Sequence, residues 1–126
     1  MAVVNLNRDS FLIDDGNDAK VIIRDLADIP GGRALDVTGW DDDVIRAGHI
    51  IKKDSTTGEY APLGISDGAY VELGDDEVAV GVLKTSILKS KPFGAIMTMG
   101  EVNAAAAPYP VTESLASALP HIYFHY

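Results

Sequence analysis

Three histidines, His49, His121 and His125, are the side chains here best suited to hold a metal ion or move a proton near neutral pH. Read as a strand, His121-Ile-Tyr-Phe-His-Tyr126 puts His121, Tyr123 and His125 on one face. Four residues of strand span about 13 Å, too far for both rings to ligate one ion directly. His49 is distant in sequence, so these rings would meet only across copies around a symmetry axis. The acidic runs are Asp14-Asp15, Asp41-Asp-Asp43 and Asp75-Asp-Glu77. Asp14-Asp-Gly-Asn-Asp18 has the composition of a calcium loop but lacks the alternating ligands and closing glutamate. Turns favour aspartate and asparagine in any case, so these runs are read as solvated loops. Gly31-Gly32 is too short for a phosphate-binding loop and has no lysine. Serines and threonines are plentiful, but none is expected to sit in a G-x-S-x-G elbow or an S-x-x-K pattern, and no acid, base and nucleophile assemble around one of them. The expectation is a protein that is not an enzyme and needs no cofactor or metal.

Composition narrows the partners. The chain has 126 residues, no cysteine and a net charge of −9. Disulfides and thiolate chemistry are excluded, and a zinc site loses its best ligand. A duplex and an anionic membrane both repel such a surface, which argues against nucleic acid and membrane partners. No apolar run approaches the roughly 20 residues of a membrane span, and the N-terminus lacks the pattern of a signal peptide. The charge is also uneven. Residues 1–77 hold seventeen acidic and seven basic side chains; residues 78–126 hold Glu101, Glu113, Lys84, Lys89 and Lys91 alone. Either these 49 residues form the core strands, or part of them is covered by other copies or another protein.

Short strand signals alternate with turns. Residues 19–24 follow the polar turn at 14–18. Ile29-Pro-Gly-Gly32 is a turn, and residues 33–38 then alternate, with Leu35 and Val37 opposite Asp36 and Thr38. Residues 50–53 and 59–63 flank the hairpin loop Asp54-Ser-Thr-Thr-Gly58. Residues 78–83 and 95–99 read as buried strands, and residues 121–126 as the last one. Thr112 caps a helix over 113–119, between Pro110 and Pro120, with Leu115, Ala118 and Leu119 on one face. Trp40 is read as a core anchor. The fold class is mainly β: a compact barrel- or sandwich-like domain of short strands with one short C-terminal helix. Residues 14–126 form this body, and residues 1–13 an N-terminal arm.

The order of segments carries a resemblance. Ile29-Pro-Gly-Gly-Arg-Ala-Leu-Asp-Val-Thr38 precedes Ile45-Arg-Ala-Gly-His-Ile-Ile51, then Thr57-Gly-Glu-Tyr-Ala-Pro-Leu63 and Val80-Gly-Val-Leu83. Lys91-Pro-Phe-Gly-Ala-Ile-Met97 leads into Gly100-Glu-Val-Asn-Ala-Ala-Ala-Ala-Pro-Tyr-Pro-Val111. From about Asp25 onward the chain resembles the head fiber and capsid decoration proteins of tailed bacteriophages, of the type found in phages and prophages of Bacteroidales. The most specific block runs from Gly100 to Pro110. The resemblance implies a non-enzymatic homotrimer on the outside of a virion, bound to the major capsid protein and made in the host cytoplasm. It would stabilise the shell or aid adhesion to host or mucosal glycans. No extended stalk follows, which fits capsid binding better than a long fibre.

On that reading residues 97–111 acquire a purpose. Alanines lose almost no side-chain entropy on ordering, and Pro108 and Pro110 fix an extended course through Tyr109. The expected subunit interface comprises Val102, Asn103, Ala105, Pro108, Tyr109, Pro110, Tyr123 and His125, with Tyr109 anchored in a neighbour's pocket. Asn103 closes a turn with its own side chain. The arm, through Val3, Val4, Leu6 and Phe11, is expected to attach to the capsid. The alternative is a β-rich binding module, for example for carbohydrate, which would expose aromatic rings near Trp40 and Tyr70. A β-fold enzyme would need a polar cleft.

Overall fold

A computed structural model describes residues 18–126. In chain order the elements are α1 (Asp18–Val21), β1 (Ile22–Asp28), β2 (Arg33–Ala34), β3 (Val44–Ile45), β4 (Ile50–Asp54) and β5 (Tyr60–Pro62). They continue with β6 (Ile65–Ser66), β7 (Ala69–Tyr70), β8 (Glu77–Leu83), β9 (Ile87–Leu88), β10 (Phe93–Gly94) and β11 (Ile96–Asn103). A 3-10 turn (Ala104–Ala106), α2 (Glu113–Ala118) and β12 (Ile122–His125) complete the chain.

Pairs of neighbouring apolar residues set the architecture. Ile50 and Ile51, Val82 and Leu83, and Ile96 and Met97 are all fully buried. Successive strand side chains point to opposite faces, so each pair demands apolar cover on both faces of its sheet. Ile50, Val82 and Met97 enter one core with Leu63, Val102, Leu115 and Phe124. Ile51, Leu83 and Ile96 enter a second with Leu35, Ile45 and Ile87. The main sheet runs β1-β11-β8-β4-β5, with β12 pairing β11 in parallel. Three two-stranded ribbons, β2 with β10, β3 with β9 and β6 with β7, complete the strand pairing.

The chain is mainly β with one short C-terminal helix, as its sequence predicts. The barrel is not closed: β1 lies at one end of the sheet order and β5 at the other. The register of β1 on β11 shifts after Ile22 and again after Asp25, which leaves Ile23 and Leu26 as bulge residues. Both are exposed. Bulges of this kind twist an edge strand away from further pairing.

Boundaries differ from expectation where side chains compete with the ladder. Residues 18–21 turn helically and the strand begins only at Ile22. The expected strand over 33–38 shrinks to β2 plus a bridge from Leu35 to Tyr60. Its extension stops at Asp36, whose carboxylate accepts both the amide (3.1 Å) and the hydroxyl (2.6 Å) of Thr38. Thr112 caps α2, its hydroxyl accepting the amide of Leu115 at 3.4 Å. Leu115 and Leu119 are buried as expected, but Ala116 takes the place assigned to Ala118, which is exposed. The helix has ended by Leu119, so the face implied by helical spacing does not continue through it.

Candidate functional site

The four alanines do begin a helix. Asn103 opens it, its side-chain oxygen accepting the amide of Ala105 at 3.1 Å, and Ala104–Ala106 complete one 3-10 turn. Pro108 and Pro110 then force the extended course. Residues 104, 105 and 107–111, together with Tyr126, line an open depression of about 490 Å³ that holds no charged side chain. The Tyr126 hydroxyl donates to the Val111 carbonyl at 3.1 Å and ties the C-terminus to its wall. Beside it β12 alternates as a half-buried strand must: Ile122 and Phe124 point into the core, and Tyr123 is 64% exposed.

The residues expected at a subunit interface thus separate into two groups. Ala105, Pro110, Tyr123 and His125 face outward, and Pro108 is half-buried. His125 Nε2 lies 2.8 Å from Glu101 Oε1, and Glu101 Oε2 lies 3.2 Å from Arg24 Nε, a chain of polar contacts across three strands. The Tyr123 ring lies 4.4 Å from that of His125. Val102, by contrast, is fully buried in its own chain, so its side chain is committed to the core. Tyr109 is also turned inward, its ring 5.7 Å from that of His49 and 5.6 Å from that of Tyr70. The pocket expected on a neighbour is supplied by its own chain. Val3, Val4, Leu6 and Phe11 lie outside the described residues.

His49 sits at the centre of this packing. A turn from Arg46 to His49, with Gly48 at φ +86°, delivers it into β4. The rings of Trp40, Tyr70 and Tyr109 meet it edge-on at 4.9, 5.1 and 5.7 Å. Its Nε2 donates to the Leu63 carbonyl at 2.8 Å, which fixes the neutral tautomer, and Nδ1 is buried without a partner. Burial lowers its pKa to about 4, against a smaller opposing effect of the Leu63 bond. Trp40 packs against the second core, half-buried, and donates from its indole to the Val44 carbonyl at 3.3 Å. The other side of Tyr109 and Trp40 borders a polar cleft of about 460 Å³ that contains Asp36, Asp41, Asp42, Asp54, Glu59 and Glu77. Sequence reasoning finds no such cleft, because its wall comes from segments that the sheet alone brings together.

Several of these carboxylates have structural work. Asp54 accepts the amides of Thr56 (2.8 Å) and Thr57 (3.1 Å), and Asp36 holds Thr38. Glu77 pairs with Lys52 and accepts the amide of Gly74 at 2.8 Å, and these contacts, Lys52 first, lower its pKa. Among the described residues no group of three or more metal-ligating side chains could hold an ion. The expectation that neither nucleophile pattern is present is corrected, since two stretches do carry their letters. Gly64-Ile-Ser-Asp-Gly68 has G-x-S-x-G spacing but forms the β6–β7 hairpin, turning at Asp67 and Gly68, both at positive φ. It therefore lacks the strand-to-helix elbow that presents a catalytic serine. Ser86-Ile-Leu-Lys89 has S-x-x-K spacing, yet the Ser86 hydroxyl accepts the Ala47 amide at 3.0 Å and the Lys89 ammonium donates to the Trp40 carbonyl.

No family model, curated protein or solved structure matches this chain.

Proposed function

We propose that this chain is a structural protein of a tailed-phage virion, a homotrimeric decoration or head fiber protein on the capsid exterior. The observation that carries this reading is the depression formed by residues 104, 105, 107–111 and Tyr126, without a charged side chain, beside the exposed Tyr123. It lies within the block whose sequence most resembles that family. Copies that each carry a net charge of −9 repel one another wherever their acidic segments meet. The C-terminal surface is where they approach without that cost, and small residues with tyrosines at the rim suit a subunit contact. The partner on the particle is the major capsid protein, and the role is shell stabilisation or adhesion.

Carbohydrate binding is the weaker reading. Trp40 and Tyr70 border the right region, but both rings are half-buried and pack against the two cores, which limits the face open to a sugar. Light scattering on the purified chain tests the first reading. Three times the chain mass, with co-sedimentation on capsids, is the expected result; a monomer that ignores capsids overturns it.

A further inference from the structure

Tyr109 borders both the uncharged depression and the acidic cleft, and His49 packs against it from within. Around His49 stand Trp40, Tyr70 and Tyr109, with Leu63 supplying a carbonyl. The titratable groups that face it are the phenols of Tyr70 and Tyr109. Burial pushes the Tyr70 phenol up, so it stays neutral, and its oxygen already accepts the Ile50 amide at 3.2 Å. The Lys89 ammonium is held on the backbone carbonyl of Trp40. A proton added at Nδ1 would create a buried donor with no acceptor and a charge with no counter-charge inside the ring box. The cleft that Trp40 and Tyr109 both line holds the carboxylates of Asp36, Asp41, Asp42, Asp54, Glu59 and Glu77 against one cation, Lys52, which is paired with Glu77.

We propose that His49 is a protonation switch: a proton at Nδ1 drives the imidazolium out of the Trp40–Tyr70–Tyr109 box towards the acidic cleft and withdraws support from Tyr109, the ring that borders the depression. Two arrangements are thereby available to one side chain, neutral among rings or charged beside carboxylates. The lowered pKa of His49, about 4, agrees with this and places the change well below the ordinary histidine range. The effect on assembly rests on the reading of the depression as a subunit surface.

Trp40 is the single tryptophan, so its emission reports on the box. The wild-type chain is titrated from pH 7.5 to 4, following Trp40 emission, the tyrosine ring signals and histidine nitrogen shifts by NMR, and far-ultraviolet dichroism. The expected result is one step, below the ordinary histidine value of about 6.5, in which His49, Tyr109 and Trp40 move together while the dichroism persists. His49→Gln, whose longer amide is the one suited to replace Nε2 on the Leu63 carbonyl but does not titrate, is expected to be flat over the same range. Flat wild-type signals overturn the switch, as does loss of dichroism in the same step or an equal step in the variant. If the variant does not fold, the wild-type NMR titration decides alone. Light scattering on the same samples separates the two readings. A trimer that dissociates with the step supports the coupling, and a trimer of unchanged mass overturns it. A monomer at every pH overturns the subunit-surface reading and the coupling to assembly, while Trp40 and the NMR signals still decide the switch.

Discussion

A methyl group on the α-carbon of Gly81 would lie 2.2 Å from the carbonyl oxygen of Met97 and 3.0 Å from Cγ2 of Ile96. The obstruction at Met97 is backbone, so it cannot rotate away as a flexible side chain would. Gly81 also sits opposite Ile51 in the central sheet, between the two cores. Gly81→Ala is therefore expected to destabilise the fold by about 3 kcal/mol, at the upper end of overpacking costs. Urea unfolding checks it; a change below about 1 kcal/mol would show that β8 and β11 can separate without penalty.

Thr112 supplies the side-chain cap of a helix only six residues long, and the Leu115 it steadies is buried in the first core. Thr112→Ala is expected to cost about 1 kcal/mol, and Thr112→Ser much less, because serine keeps the accepting oxygen. The same unfolding measurement distinguishes them.

Tyr109 and Tyr123 should behave oppositely. Tyr109 packs on His49 and Tyr70 within its own chain, so Tyr109→Ala removes contacts of the folded monomer and is expected to cost about 2 to 3 kcal/mol. Tyr123 is largely exposed, and Tyr123→Ala should leave monomer stability within about 0.5 kcal/mol while weakening association. Unfolding and light scattering on both variants provide the check. Equal effects of the two on mass and stability would contradict the division between inward and outward tyrosines.

Much of this was legible in the sequence where local chemistry decides. The turn at Asp54, the cap at Thr112, the proline stops and the strands within 78–83 and 95–99 follow from residues within a few positions of one another, although these strands are exposed at Val78 and Met99. What escaped depends on distant segments. Val102 reads as one more small apolar residue of a bland strip until β1, β12 and α2 enclose it. His49 reads as an isolated histidine until Trp40, Tyr70 and Tyr109, from three other segments, close around it. The acidic cleft is assembled in the same way, from runs that separately look like solvated loops. Glycine-serine and serine-lysine spacings, in turn, mislead unless the elements that carry them are known.

In the proposed reading residues 1–13 would attach the chain to the capsid, a task separate from folding. Among the described residues both cores run from Val21 onward. Deletion of residues 1–13 is therefore expected to leave unfolding within about 0.5 kcal/mol of the full chain and to abolish co-sedimentation with capsids. A truncated chain that still decorates particles would move the attachment surface onto the body.

Acid should weaken the fold earlier than its carboxylates would dictate. His49 has a folded pKa of about 4, below its unfolded value near 6.5. The unfolded chain therefore binds the proton more readily, and the stability this contributes is fully present above pH 6.5 and lost as pH falls towards 4. The whole difference amounts to about 3 kcal/mol, with roughly 1 kcal/mol gone by pH 5.5. Release of the ring in place would cap the loss at the free energy of that release. Asp28, Asp36 and Glu77 are also shifted down, held low chiefly by bonds from Lys84, Thr38 and Lys52 respectively. Their contribution is present above the ordinary carboxylate range and is lost only as pH falls through and below it. Urea unfolding between pH 7 and 5.5 therefore isolates His49. The wild-type midpoint is expected to fall across this window, and that of His49→Gln to stay level; parallel declines would assign the loss to another group.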